Sequence, residues 1–105
     1  MEQAVRIWAH ALTVHVPGII RIGYFGSYAR GDWGVGSDLD IVVIVERSED
    51  PFESRSLKWD LNQLPVQTEL LVYTSAEWDT LMRQGGRFAR TLDRETVWVH
   101  ERQDH

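Results

Sequence analysis

Two aspartates, Asp38 and Asp40, stand at the head of the apolar run Ile41-Val42-Val43-Ile44-Val45, and a Gly26-Ser27 pair stands at the end of another, Ile19 to Phe25. Carboxylates are hard oxygen donors, and Mg²⁺ commonly binds through one or two of them together with phosphate oxygens and water. The β-branched run after Asp40 predicts a buried strand. Side chains alternate faces along a strand, so Asp38 and Asp40 project together while Leu39 points the other way. At the end of its own strand, Gly26-Ser27 offers backbone N–H groups and a hydroxyl that can hold a phosphate, especially where a short helix begins. One place would then carry a polyphosphate turn and the carboxylates that hold its counter-cations. Paired aspartates at a strand start are otherwise ordinary solvated turn residues; the Gly-Ser half sets this pair apart.

The elements that must position these residues alternate along the chain. Val5, Trp8, Ala9 and Leu12 follow the spacing of an amphipathic helix, which Pro17-Gly18 ends. Strands are predicted over 19–25, from the aspartates into 41–45, over 66–73 and over 96–99. Leu57, Leu61 and Leu64 read as a helical stripe closed by Pro65. Thr74 and Glu77 have capping-box spacing, followed by the apolar face of Trp78, Leu81 and Met82. Gly85-Gly86 breaks that helix, and 87–94 reads as a short final one with Phe88 and Leu92 inward. Gly31, Gly34 and Gly36 make the segment between the two halves of the candidate site a loop, either a plain turn or one that wraps a ligand. The fold class is α+β, a small mixed sheet with helices packed mainly on one face.

Bulk properties bound the function. A chain of 105 residues with 43% hydrophobic content builds one core, and 1–105 is read as a single domain. There are no cysteines, which excludes disulfides, thiolate metal sites and a cysteine nucleophile. No apolar run approaches the ~18 residues of a membrane span and no signal-peptide core is visible, so no membrane partner and a cytoplasmic location are expected. A formal net charge of −5 argues against an extended nucleic-acid surface. His10, His15, His100 and His105 show no metal-ligand spacing and are read as non-catalytic. The five tryptophans are read as core, with Trp59, on the far side of its predicted helix from Leu57, as the exception to watch.

Phe25-Gly26-Ser27-Tyr28-Ala29-Arg30-Gly31, a spacer from Tyr28 through Ser37, and Ser37-Asp38-Leu39-Asp40-Ile41 resemble the motif of the nucleotidyltransferase superfamily that includes DNA polymerase β. The spelling is closest to the minimal nucleotidyltransferases, the MNT proteins. The likeness extends through Thr68–Thr74 and Ala76-Glu77-Trp78, and so covers about Val16 to the C-terminus. It implies the nucleotidyltransferase fold and Mg²⁺-dependent transfer of a nucleoside monophosphate from an NTP, chiefly AMP from ATP, onto a hydroxyl, with two ions engaged. Asp38 and Asp40 would be the metal-bridging, catalytic carboxylates. Glu69 falls where the family usually carries a third aspartate; it would bind the catalytic ion and help deprotonate the acceptor, or it is simply an exposed strand glutamate. Gly26 and Ser27 would hold phosphate. Arg30 would assist the triphosphate or clamp the loop by pairing with a carboxylate. MNT proteins act as antitoxins beside a HEPN-domain ribonuclease toxin, so the resemblance implies a protein adenylyltransferase acting on a toxin tyrosine. The alternatives are an antitoxin that neutralises by contact alone and an aminoglycoside-type small-molecule nucleotidyltransferase.

Overall fold

The structure, a computed structural model, describes residues 1–102; His105 lies outside them. Helix α1 spans Glu2–His15, β1 Ile19–Phe25, α2 Ser27–Arg30, β2 Leu39–Val45 and α3 Phe52–Arg55, which runs on into a 3₁₀ turn at Ser56–Lys58. Then come β3 Thr68–Thr74, α4 Ser75–Gln84, α5 Arg87–Glu95 and β4 Val97–Glu101. The four strands form one mixed sheet in the order β3-β2-β1-β4. β1 runs antiparallel to both β2 and β4, and β2 runs parallel to β3. The α+β mixed sheet expected from the sequence is the fold observed.

Its helices, however, cover both faces. Leu39, Ile41, Val43 and Val45 of β2 pack with Val5, Trp8 and Ala9 of α1, whereas Val42 and Ile44 pack with Phe25, Trp78 of α4 and Leu92 of α5. The expectation of helices mainly on one face overlooked what the β2 run demands. A strand without a polar position beyond Asp40 leaves apolar side chains on both sides, and both must be covered. Each such fully buried side chain contributes about 1.5–3 kcal/mol. Asp38 and Asp40 have the parity of Val42 and Ile44, so the site opens on the α4/α5 side.

The stripe of Leu57, Leu61 and Leu64 does not form its own helix. Leu64 is buried, but Leu57 is 81% exposed. Local bonds compete with helix formation here: the Asp60 side chain accepts from the Asn62 N–H at 2.9 Å, and the Asp60 carbonyl accepts from the Trp8 indole at 2.9 Å. Trp59 packs partly buried against the α1-side core; the exposed tryptophan is Trp33, at 56%. The predicted capping box is present. Thr74 accepts from the Glu77 N–H and Glu77 accepts from the Thr74 N–H. Glu77 also pairs with buried Arg55 at 2.5 and 3.2 Å, and Arg55 in turn donates to the carbonyls of Asp50 and Val72. The Arg55 guanidinium, aided by the Thr74 bonds, lowers the Glu77 carboxyl to about 2. No helix among the described residues is long and apolar enough to cross a membrane.

Candidate active site

The connection from β1 to β2 builds the site. At Gly26 the chain turns with φ +79°, a conformation L side chains avoid. The Gly26 carbonyl then accepts from Ala29 and Arg30 N–H, both at 3.0 Å, and the Ser27 carbonyl accepts from Gly31 and Asp32 N–H, so α2 is a closed turn. Ser27 and Tyr28 lead that turn, where N–H groups have no partner within a helix. The rest of the loop is held by a mutual Gly34–Ser37 pair at 2.9 and 3.0 Å. It is also held by the stacking of Trp33 on Tyr28, ring centres 5.4 Å apart. The Leu39 N–H donates to the Gln67 carbonyl at 2.9 Å and fixes where β2 begins beside β3.

These constraints open a cleft of about 470 Å³ lined by Gly26, Ser27 and Arg30 on one side and Ser37, Asp38 and Asp40 on the other, with Phe25, Thr91 and Glu95 completing it. Of the residues singled out in the sequence, five line it together; the sixth, Glu69, reaches the group from the neighbouring strand. Asp40 and Glu69 are direct partners in the parallel β2–β3 register. The Asp40 carboxyl is pushed above its usual range, first by burial, then by the charges of Glu69 and Asp38 and a hydrogen bond with Glu69, while Arg30 pulls it back. Three carboxylates therefore share a region with too little positive charge. Gly26 is also a steric necessity: a β-carbon there would collide with Asp40 Oδ2.

Arg30 lies at the cleft with its guanidinium paired to Asp32 at 3.0 Å and to Glu95 at 3.2 Å. None of the described histidines lines the cleft. Thr91 and Glu95 were missed by the sequence reading. Their spacing puts them on one face of α5, but nothing local says that this face meets the Gly-Ser turn.

The donor set suits a hard divalent cation: it offers oxygen ligands only, and burial together with the Glu69 and Asp38 charges pushes the Asp40 carboxyl above its usual range. Among the described residues no three candidate ligands converge into a ready-made cage. Asp38 and Asp40 would hold such a cation together with phosphate and water oxygens.

The chain matches the nucleotidyltransferase domain family over residues 9–99. No curated protein matches it. Among solved structures, a Sulfolobus solfataricus protein provisionally named a nucleotidyltransferase superposes with a TM-score of 0.68 at 19% identity, covering 97% of this chain and 81% of that one. A toxin–antitoxin structure with AMP-PNP gives 0.61 at 20% identity, covering 97% and 74%. A toxin–antitoxin MntA-HpeT mutant with two Asp-to-Glu substitutions gives 0.61 at 17%, covering 98% and 75%. At such identities these likenesses carry the fold, and nucleotidyltransferases of this family generally use divalent metal ions. With the match spanning most of its length, and with the Gly-Ser turn facing the Asp38/Asp40 pair, the chain belongs to the nucleotidyltransferase domain family, a family of transferase enzymes.

Proposed function

We propose that this domain transfers AMP from ATP onto a hydroxyl, releasing pyrophosphate, and that its acceptor is a tyrosine of a cognate HEPN-type toxin, which the modification silences. The observation that carries the reading is the cleft that Gly26 and Ser27 line together with Asp38 and Asp40, with Glu69 in register beside Asp40 on the next strand. Asp38 and Asp40 would hold Mg²⁺ with the phosphates, and Glu69 would complete the carboxylate set. The metal supplies charge neutralisation for the transferring phosphoryl group and its leaving group. Ser27 and the backbone at Gly26 seat the phosphate tail, and Arg30 offsets part of its charge. Glu69, beside Asp40, would accept the acceptor's proton.

The antitoxin setting is supported by the resemblance to MNT proteins and by the two toxin–antitoxin neighbours, one of which was solved with AMP-PNP. In the other, the two substituted aspartates are two residues apart, as Asp38 and Asp40 are here. A protein acceptor also suits the surface. The loop that carries Asp38 presents Trp33 and Val35 to solvent, an apolar rim of the kind that marks a protein contact.

The test is to incubate the domain with ATP, Mg²⁺ and the toxin encoded beside it, then strip the domain away. The toxin should stay inactive and carry AMP on a tyrosine by mass spectrometry, and the Asp38→Asn/Asp40→Asn variant should leave it unmodified. Unmodified toxin that regains activity on separation, with full protection by sub-stoichiometric variant, would replace catalysis with neutralisation by contact.

A further inference from the structure

Among the described residues lining the cleft, Arg30 is the one cation, and two carboxylates already hold it. Its Nε donates to Asp32 Oδ2 at 3.0 Å and its Nη1 to Glu95 Oε2 at 3.2 Å. The two partners are not equivalent. Asp32 belongs to Arg30's own loop, lies 60% exposed and does not line the cleft. Glu95 arrives from the last turn of α5, is only 27% exposed, and lines the cleft with Asp38 and Asp40. Its place is fixed from below by Leu92, which is fully buried one turn earlier.

A guanidinium fork donates to carboxylate and to phosphate oxygens in the same paired geometry. A phosphate seated at Ser27 therefore meets an Arg30 whose Nη1 is engaged, and it also meets a carboxylate that repels it. We infer that Glu95 is a positioning residue that gates the substrate: its carboxylate competes with the phosphate tail of the nucleoside triphosphate, and with the pyrophosphate product, for the Arg30 guanidinium. The inference rests on the nucleotidyl-transfer reading. Its chemical consequence is that the arginine has somewhere to return to as pyrophosphate leaves, so the product is not retained by the cation that helped bind the substrate.

The test is calorimetric titration of the full chain with Mg²⁺-ATP and with Mg²⁺-pyrophosphate in four forms: wild type, Glu95→Gln, Arg30→Gln and the double variant. Competition predicts that Glu95→Gln tightens both ligands about two- to fivefold, the range of an exposed ion pair. It also predicts a clearly smaller tightening by Glu95→Gln once Arg30 is Gln, because only the direct repulsion by the carboxylate is then relieved. Glu95→Asp keeps the charge but withdraws the contact, and it should tighten binding as well. Weaker binding in Glu95→Gln would make the pair a brace for α5 and overturn the gate. Equal tightening in both Arg30 backgrounds, or none in Glu95→Asp, would reduce Glu95 to a general negative field and overturn it too. Wild type that binds Mg²⁺-ATP while Glu95→Gln changes nothing removes the gate alone. Wild type that fails to bind Mg²⁺-ATP removes the nucleotidyl-transfer reading, and the gate falls with it.

Discussion

Gly26 and Asp40 adjoin so closely across the ends of β1 and β2 that one added methyl group on Gly26 would clash with the Asp40 carboxylate oxygen. The glycine thus serves the turn and the carboxylate at once: its φ of +79° redirects the chain and its bare α-carbon leaves Asp40 room. Gly26→Ala should lose about 1–3 kcal/mol of stability from backbone strain. It should also lose Mg²⁺-dependent ATP binding, because Asp40 must swing away. Thermal denaturation and nucleotide titration of the one variant check both effects, and an unchanged affinity would show that Asp40 does not need its present orientation.

Asp40 itself is predicted to weaken the metal-free fold. Its folded-state pKa lies above the ordinary carboxylate value because of burial, Glu69 and Asp38. Its contribution is therefore fully present below the unfolded-state value and lost as pH rises through the raised one. Ionisation of Asp40 above the ordinary carboxylate range should therefore lower the melting temperature of metal-free protein relative to Asp40→Asn, and the difference should shrink as the pH falls below that range. The same substitution should abolish the Mg²⁺ dependence of ATP binding. Stability and function then move in opposite directions, which separates a site defect from a folding defect.

Glu77 predicts the opposite slope. Held at about 2 by Arg55, it stabilises the fold above the ordinary carboxylate pKa, and this is lost as the pH falls toward 2. Glu77→Gln should remove that acid-limb loss and cost about 1.5–3 kcal/mol near neutrality, the range for a hydrogen bond to a charged group. Partial exposure of Glu77 holds the figure toward the low end. Chemical denaturation at several acidic pH values measures it, and transfer activity should be unaffected at temperatures where the variant is folded.

Glu69→Gln tests the third carboxylate. The change preserves shape while removing an anionic ligand and proton acceptor, so single-turnover AMP transfer should fall by about 10²-fold or more. The melting temperature should stay the same or rise, since a charge beside Asp40 is gone. Unchanged transfer would leave Glu69 as an exposed strand residue. Glu69→Asp asks whether the extra methylene is needed to reach from β3.

What could be read from the sequence was what depends on neighbours in the chain. The parity of Asp38 and Asp40, the end of α1 at Pro17-Gly18 and the Thr74–Glu77 capping box all follow from local spacing, and all stand in the structure. Relationships set by tertiary packing were not legible. Alternation says that Glu69 and Asp40 each sit on a strand, but only the β2–β3 register makes them partners. Arg30 was seen as a phosphate ligand or a loop clamp; its second partner, Glu95, lies on a helix at the other end of the chain. The leucines of 57–64 have a helical period, yet the Trp8 indole and the Asp60 side chain capture the backbone first.

Because β2 and β3 are parallel, the chain must cross over the whole 46–67 segment before Glu69 can reach Asp40, whereas Gly26-Ser27 and Asp38/Asp40 sit at the adjoining ends of antiparallel β1 and β2, linked by α2 and the loop after it. During synthesis, the turn and the aspartate pair therefore leave the ribosome together and well ahead of the third carboxylate. The groups proposed to seat a nucleotide are thus complete in the chain before the one proposed to activate an acceptor. Closing the longer β2–β3 connection also costs more chain entropy than closing the 26–40 turn, so the contact between Glu69 and Asp40 is the costlier of the two to hold.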